Sequence, residues 1–100
     1  MTFIPEMIIS EITTNTDASE SVDIYHVDVS GGAVTVTLPE SPSEGATWHV
    51  KKIDNSGEQL TVETTGTPTI DGSANVFTVT QYDGWTITFY NGEYYLRNTI

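Results

Sequence analysis

The sequence predicts an all-β fold, a small antiparallel sandwich or barrel-like module of eight or nine short strands. Three observations carry that expectation. Over residues 31–39 a glycine turn opens onto strict alternation, with Val34, Val36 and Leu38 on one side and Ala33, Thr35 and Thr37 on the other, the period of a strand with one wet face. The same period returns in Leu60-Thr61-Val62, in residues 76–80 and in Trp85-Thr86-Ile87-Thr88-Phe89, and no helical periodicity of useful length interrupts it. Asn91-Gly92 then stands between residues 85–90 and 93–97, the strongest short-range signal for a hairpin.

In chain order, residues 7–14 are apolar and β-branched and read as a first strand; the polar run 15–21 reads as a loop. Residues 22–29 alternate with both faces partly apolar, Tyr25, Val27 and Val29 against Val22, Ile24, His26 and Asp28. That mixture suits a strand covered by the core on one side and by a neighbour on the other. Strand 34–38 stops at Pro39, which has no N–H for a ladder. Residues 40–45 are turn chemistry leading into strand 46–53, and Asp54-Asn55-Ser56-Gly57-Glu58 is expected to close a hairpin onto 59–63. Residues 64–69 are irregular, and Ile70-Asp71-Gly72 is a tight turn in which Gly72 takes positive φ. Residues 1–19 read as an arm with a first strand, residues 20–100 as the β-module, with no clear internal duplication.

One hundred residues allow one domain with a thin core, and no cysteine is present to staple it. Self-association is the simplest remaining source of stability. Fourteen acidic residues against Lys51, Lys52 and Arg97 give a net charge of −11. A field of that sign repels phosphates and anionic membrane, so nucleic acid is excluded as a partner unless the three cations cluster. No apolar run approaches the ~18 residues of a membrane span, and no basic leader precedes the first strand. Membrane insertion is not expected.

Nor do the residues read as those of an enzyme. Asp54, Asp71 and Asp83 stand in turns, where an Asp side chain caps its own backbone; of these, Asp71 is the one that would brace an interface. His26 and Asp28 share a strand face but Asp23 takes the other, leaving two ligands where a metal needs three or four. His49 lies beside Lys51 on its face, and no Ser stands in a nucleophile context. No cofactor is implied. Among the crowded aromatics of the last third, Trp85, Ile87 and Phe89 form a core stripe and Tyr90 with Tyr94 is expected to pair across the turn, which leaves Tyr82 and Tyr95 for exposure.

The order of Asp28-Val-Ser-Gly-Gly-Ala-Val-Thr-Val-Thr-Leu-Pro39, Val50-Lys-Lys-Ile-Asp54, Leu60-Thr-Val62, Thr69-Ile-Asp-Gly72 and Trp85 through Asn91-Gly92 to Tyr94-Tyr95-Leu96 resembles β-modules of bacteriophage tail-fibre, head-fibre and capsid-decoration proteins. Tyr94 departs from the pattern, since such modules often carry Trp there. The resemblance implies a structural virion protein, a homotrimer that works by binding on the outer surface of capsid or tail. The short chain favours a capsid decoration, turret or head fibre docked on the major capsid protein or another virion protein. Phe3, Ile4, Met7, Ile8 and Ile9 are then the candidate anchor, and Tyr25 and His26 the candidate subunit or capsid contacts. The alternative is a receptor-binding tip that recognises a host surface glycan or protein through Tyr82 and Tyr95.

Overall fold

In the computed structural model, which describes residues 6–98, nine strands form two sheets and no helix occurs among the described residues. The strands are β1 (Ile9–Ile12), β2 (Thr16–Asp17), β3 (Ile24–Val27), β4 (Val34–Leu38), β5 (Thr47–Lys52), β6 (Leu60–Thr64), β7 (Asn75–Thr78), β8 (Gly84–Tyr90) and β9 (Glu93–Asn98). A five-stranded sheet A runs β1-β3-β5-β8-β9, and a four-stranded sheet B runs β2-β4-β6-β7.

The pairing is mixed, which corrects the antiparallel expectation. The first six strands alternate between the sheets, and β1, β3 and β5 are parallel to one another, as are β2, β4 and β6. Parallel neighbours need a crossover of a dozen or more residues, normally a helix; here each crossover is a strand of the other sheet. Three flattened coils result. The β6–β7, β5–β8 and β8–β9 pairs are antiparallel.

Two connections differ from the expectation as a consequence. Residues 54–58 do not close a hairpin: β5 and β6 belong to different sheets, so the segment crosses the sandwich. Within the run read as a loop, Thr16 and Asp17 pair with Val36 and Thr37, and Ala18 N–H continues the ladder to the Thr37 carbonyl at 2.8 Å.

Alternation places the core as the sequence indicates. Val34, Val36 and Leu38 are buried while Thr35 and Thr37 are half-buried, and β4 ends directly before Pro39. The other sheet contributes Tyr25, Val27, Trp48, Val50, Trp85, Ile87, Phe89 and Tyr94 to the same interior. Tyr94 packs edge-on to Phe89 at 5.0 Å between centroids, and its hydroxyl donates to the Pro39 carbonyl. Burial, with a smaller push from the negative charge of Glu20, raises the Tyr94 phenol well above its ordinary value. Ser19 is held from two sides by core aromatics: its N–H donates to the Tyr25 hydroxyl at 3.0 Å, and its carbonyl accepts from Trp48 Nε1 at 3.0 Å.

Both tight turns take the left-handed backbone their residues allow. Asn91 and Gly92 have φ of 51° and 82°, the type I′ signature, and Asp71 and Gly72 have 47° and 87°. The two-residue loop fixes the register of β8 on β9, with Tyr90 opposite Glu93 and Phe89 opposite Tyr94. Tyr90 and Tyr94 are therefore not a cross-strand pair, because their side chains leave opposite faces of the hairpin.

Candidate functional site

The outer face of sheet A is built from register. Ile9, Ile24, His49, Thr86 and Arg97 stand in one row across all five strands, and Glu11, His26, Lys51 and Gly84 in the next. Both surface cations and both histidines thus share one face of a strongly acidic chain. His49 Nδ1 lies 2.9 Å from Thr86 Oγ1. The opposite face of the molecule, the outside of sheet B, carries Asp17 and Glu63 among Thr35, Thr37 and Thr61, with Phe77 exposed beside them.

A groove of about 220 Å³ runs along the outer face of sheet A, lined by Met7, Ile24, His26, His49 and Lys51 over the backs of Val50 and Trp85. Gly84 continues this face beside Lys51 without a side chain. A Cβ there would run into the Val50 carbonyl oxygen, so β8 approaches β5 closely and no side chain fills the row beside Lys51.

The apolar arm borders this groove. Met7, Ile8 and Ile9 are about half exposed, at 54%, 51% and 57%. The backbone beneath them is fixed, since Ile8 N–H donates to Asp23 Oδ2 at 2.7 Å and the Ile8 carbonyl accepts from Asp23 and Ile24. Phe3 and Ile4 lie outside the described residues. Tyr25 does not reach this surface: it is 2% exposed and belongs to the core, so it has almost nothing to offer a neighbour. His26, one residue on, faces outward and is half-buried.

Among the described residues the exposed aromatics are Tyr82, Tyr90 and Tyr95 with Phe77. Tyr82 stands alone on a turn with φ of 69°. Tyr90 and Tyr95 meet on the outer face of the last hairpin, ring centroids 6.5 Å apart and planes inclined at 53°. Tyr95 and Tyr82 are placed as the sequence indicates; the Tyr90–Tyr95 pairing is new, and its signal was the hairpin register.

The acids of the turns act within the chain. Asp71 Oδ1 accepts from Leu96 N–H at 3.3 Å and so braces β9, and Asp83 accepts from the Thr78 hydroxyl at 2.7 Å and from Gly84 N–H at 3.0 Å. Asp54 is the most heavily bonded. Its carboxylate takes Val29 N–H at 2.8 Å, Ser56 N–H at 3.0 Å, the Ser56 hydroxyl and Lys52 Nζ. Partial burial disfavours its charge, but these donors together outweigh it and hold the carboxyl far below the ordinary carboxylate range. Glu93 is also lowered, by the Thr69 hydroxyl and N–H.

Lys52 is the residue the sequence reading missed. It is fully buried, and its ammonium donates to the carbonyls of Asp54 at 2.8 Å and Ser56 at 2.7 Å as well as to the Asp54 carboxylate at 3.3 Å. The three cations consequently do not gather on the surface, because one of them closes the crossover from inside. Asp23 is engaged by Ile8, and Asp28 by Ser30 N–H at 2.9 Å. No three His, Asp or Glu side chains gather as a metal-ion site among the described residues. Comparison of the chain with protein-family models and with curated proteins finds no match.

Proposed function

We propose that this chain is a structural virion protein, a homotrimeric capsid decoration, turret or head-fibre module that sits on the outer surface of the particle and acts by protein–protein binding. The observation that carries the reading is the apolar arm: three consecutive large side chains, Met7, Ile8 and Ile9, stand half in water on a backbone that is already fixed, at what is an edge of sheet A among the described residues. Fluctuating apolar residues on a loose terminus need no explanation, whereas a fixed apolar strip beside a groove fits a surface that another chain covers. At roughly 25 cal/mol per Å² of apolar area, covering it contributes energy on the scale of a small domain's whole stability. Among the described residues β1 is an edge strand of sheet A, the kind of edge to which a neighbour's strand can add.

The partners in this reading are two further copies and the major capsid protein or another virion protein. Mass spectrometry of purified virions is the test, together with particles carrying a variant lacking residues 1–9. The chain is expected among the virion proteins, and its occupancy is expected to fall at least tenfold in the variant. Virions free of the chain would refute the reading, and unchanged occupancy would refute the anchor. A second reading, recognition of a host surface glycan by exposed aromatics, is favoured by the inclined pair Tyr90 and Tyr95.

A further inference from the structure

We infer that the outer face of the β8–β9 hairpin is a binding site for a carboxylated pyranose, a sugar of the uronic or sialic type, with Tyr90 and Tyr95 holding the ring and Arg97 the carboxylate. The inference rests on the second reading above and names the class of glycan it requires.

An open pocket of about 340 Å³ is lined there by Thr88, Tyr90, Tyr95 and Arg97. That is the small end of the ~300–1,000 Å³ range of ligand sites and suits one or two sugar rings better than a protein partner, which needs a broad surface. The two tyrosines are 61% and 44% exposed, yet they stand on paired strands of a fixed hairpin, so their inclined rings form a preset cleft for the C–H face of a pyranose. Rigid tyrosines lose little conformational freedom on binding, and their hydroxyls meet sugar hydroxyls at the rim.

Arg97 sets the charge of the ligand. It follows Tyr95 by two residues and so leaves the same face of β9. Its Nη1 donates to Thr88 Oγ1 at 3.3 Å, and Thr88 Oγ1 lies 3.1 Å from Thr47 Oγ1, an arrangement that steadies the guanidinium over the sheet. The remaining N–H donors suit the bidentate grip of a carboxylate. Among the described residues the Lys52–Asp54 contact is the only ion pair, and Arg97 meets no carboxylate. Glu93, on the same strand face, is about 13 Å away at 3.3 Å per residue and turns to Thr69, and Glu44 accepts from Asn91 N–H at 2.8 Å. In a chain of net charge −11, a guanidinium left beside an aromatic cleft is a local reversal of sign. Among the described residues no carboxylate answers that charge, and a neutral sugar would not answer it either.

The test is titration of the protein with methyl glycosides of glucuronic acid, of N-acetylneuraminic acid and of glucose, read by the ring resonances of Tyr90 and Tyr95. It is run at about 0.15 M salt, where the Debye length of ~8 Å screens the chain's general repulsion of anions. At least one acidic glycoside is expected to shift both rings and bind about tenfold more tightly than the glucoside, and whichever acid does so identifies the sugar. Arg97→Gln is expected to erase that preference, Arg97→Lys to restore only part of it, and Tyr95→Ala to remove binding of every sugar. Equal binding of the glucoside would overturn the charge assignment and leave glycan recognition standing; no shift with any of the three would overturn both.

Discussion

Lys52 illustrates how one residue can fix a crossover between sheets from within. It occupies the inward phase of β5 after Trp48 and Val50, so alternation alone commits an ammonium to the interior, and three oxygens from the crossover meet it there. Removing the carboxylate by Asp54→Ala leaves that ammonium with carbonyls only. The variant is expected to lose about 2–4 kcal/mol in chemical denaturation, the lower part of the range for a broken buried pair because those carbonyls remain. Replacing both partners, Lys52→Met with Asp54→Asn, is expected to recover most of the loss. The sign of the pH effect follows from the depressed Asp54 carboxyl. Its contribution is fully present above the unfolded carboxylate value of about 4 and declines as pH falls toward the folded one, so the stability gap between the native chain and Asp54→Asn is expected to narrow below about pH 4. A gap that widens in acid would mean that Asp54 is not stabilised as an anion. The inward phase of Lys52 was legible in the sequence. Its partner was not, because Asp54 lies beyond the strand, where composition marks a turn without saying what the turn encloses.

Connections that are local in sequence were readable, and those that depend on distant strands were not. Asn91-Gly92 specifies its hairpin through two consecutive left-handed residues, and that conformation is all the connection requires. Gly92→Ala is expected to cost about 1–2 kcal/mol from the left-handed backbone alone, with the strand register retained in amide exchange because the loop keeps its two residues; register loss would show that Gly92 itself, not the loop length, sets the pairing. The 54–58 segment has comparable turn chemistry but crosses to the other sheet, since the destination of a strand is decided by which open edge and which apolar face are left to it. The same limit hid Tyr25. Alternation put it opposite His26, and only the position of sheet B decides that its side is the interior.

At the level of the whole molecule, the three-coil winding explains why no repeat is visible in the chain. Partners Ile9 and Ile24 are 15 residues apart, whereas Ile24 and His49 are 25 apart, so the coils are alike in space and unlike in length. A repeat of geometry without a repeat of sequence leaves only the strand-scale period to read, and that period is silent on parallel against antiparallel pairing. Composition also could not show that both surface cations, Lys51 and Arg97, lie on the outer face of sheet A together with Glu11 and Glu93, while Asp17 and Glu63 lie among threonines on the far side without a cation. The groove beside Lys51 and its apolar border at Met7, Ile8 and Ile9, at the β1–β3–β5 end of the outer face of sheet A, are where the proposed assembly meets other chains, which leaves the β8–β9 end open. Light scattering coupled to size exclusion, at micromolar concentration and about 0.15 M salt, where charge repulsion is screened over ~8 Å, tests that assembly directly. The expected mass is three times the 10.9 kDa of one chain; a native chain that elutes as a monomer would contradict it.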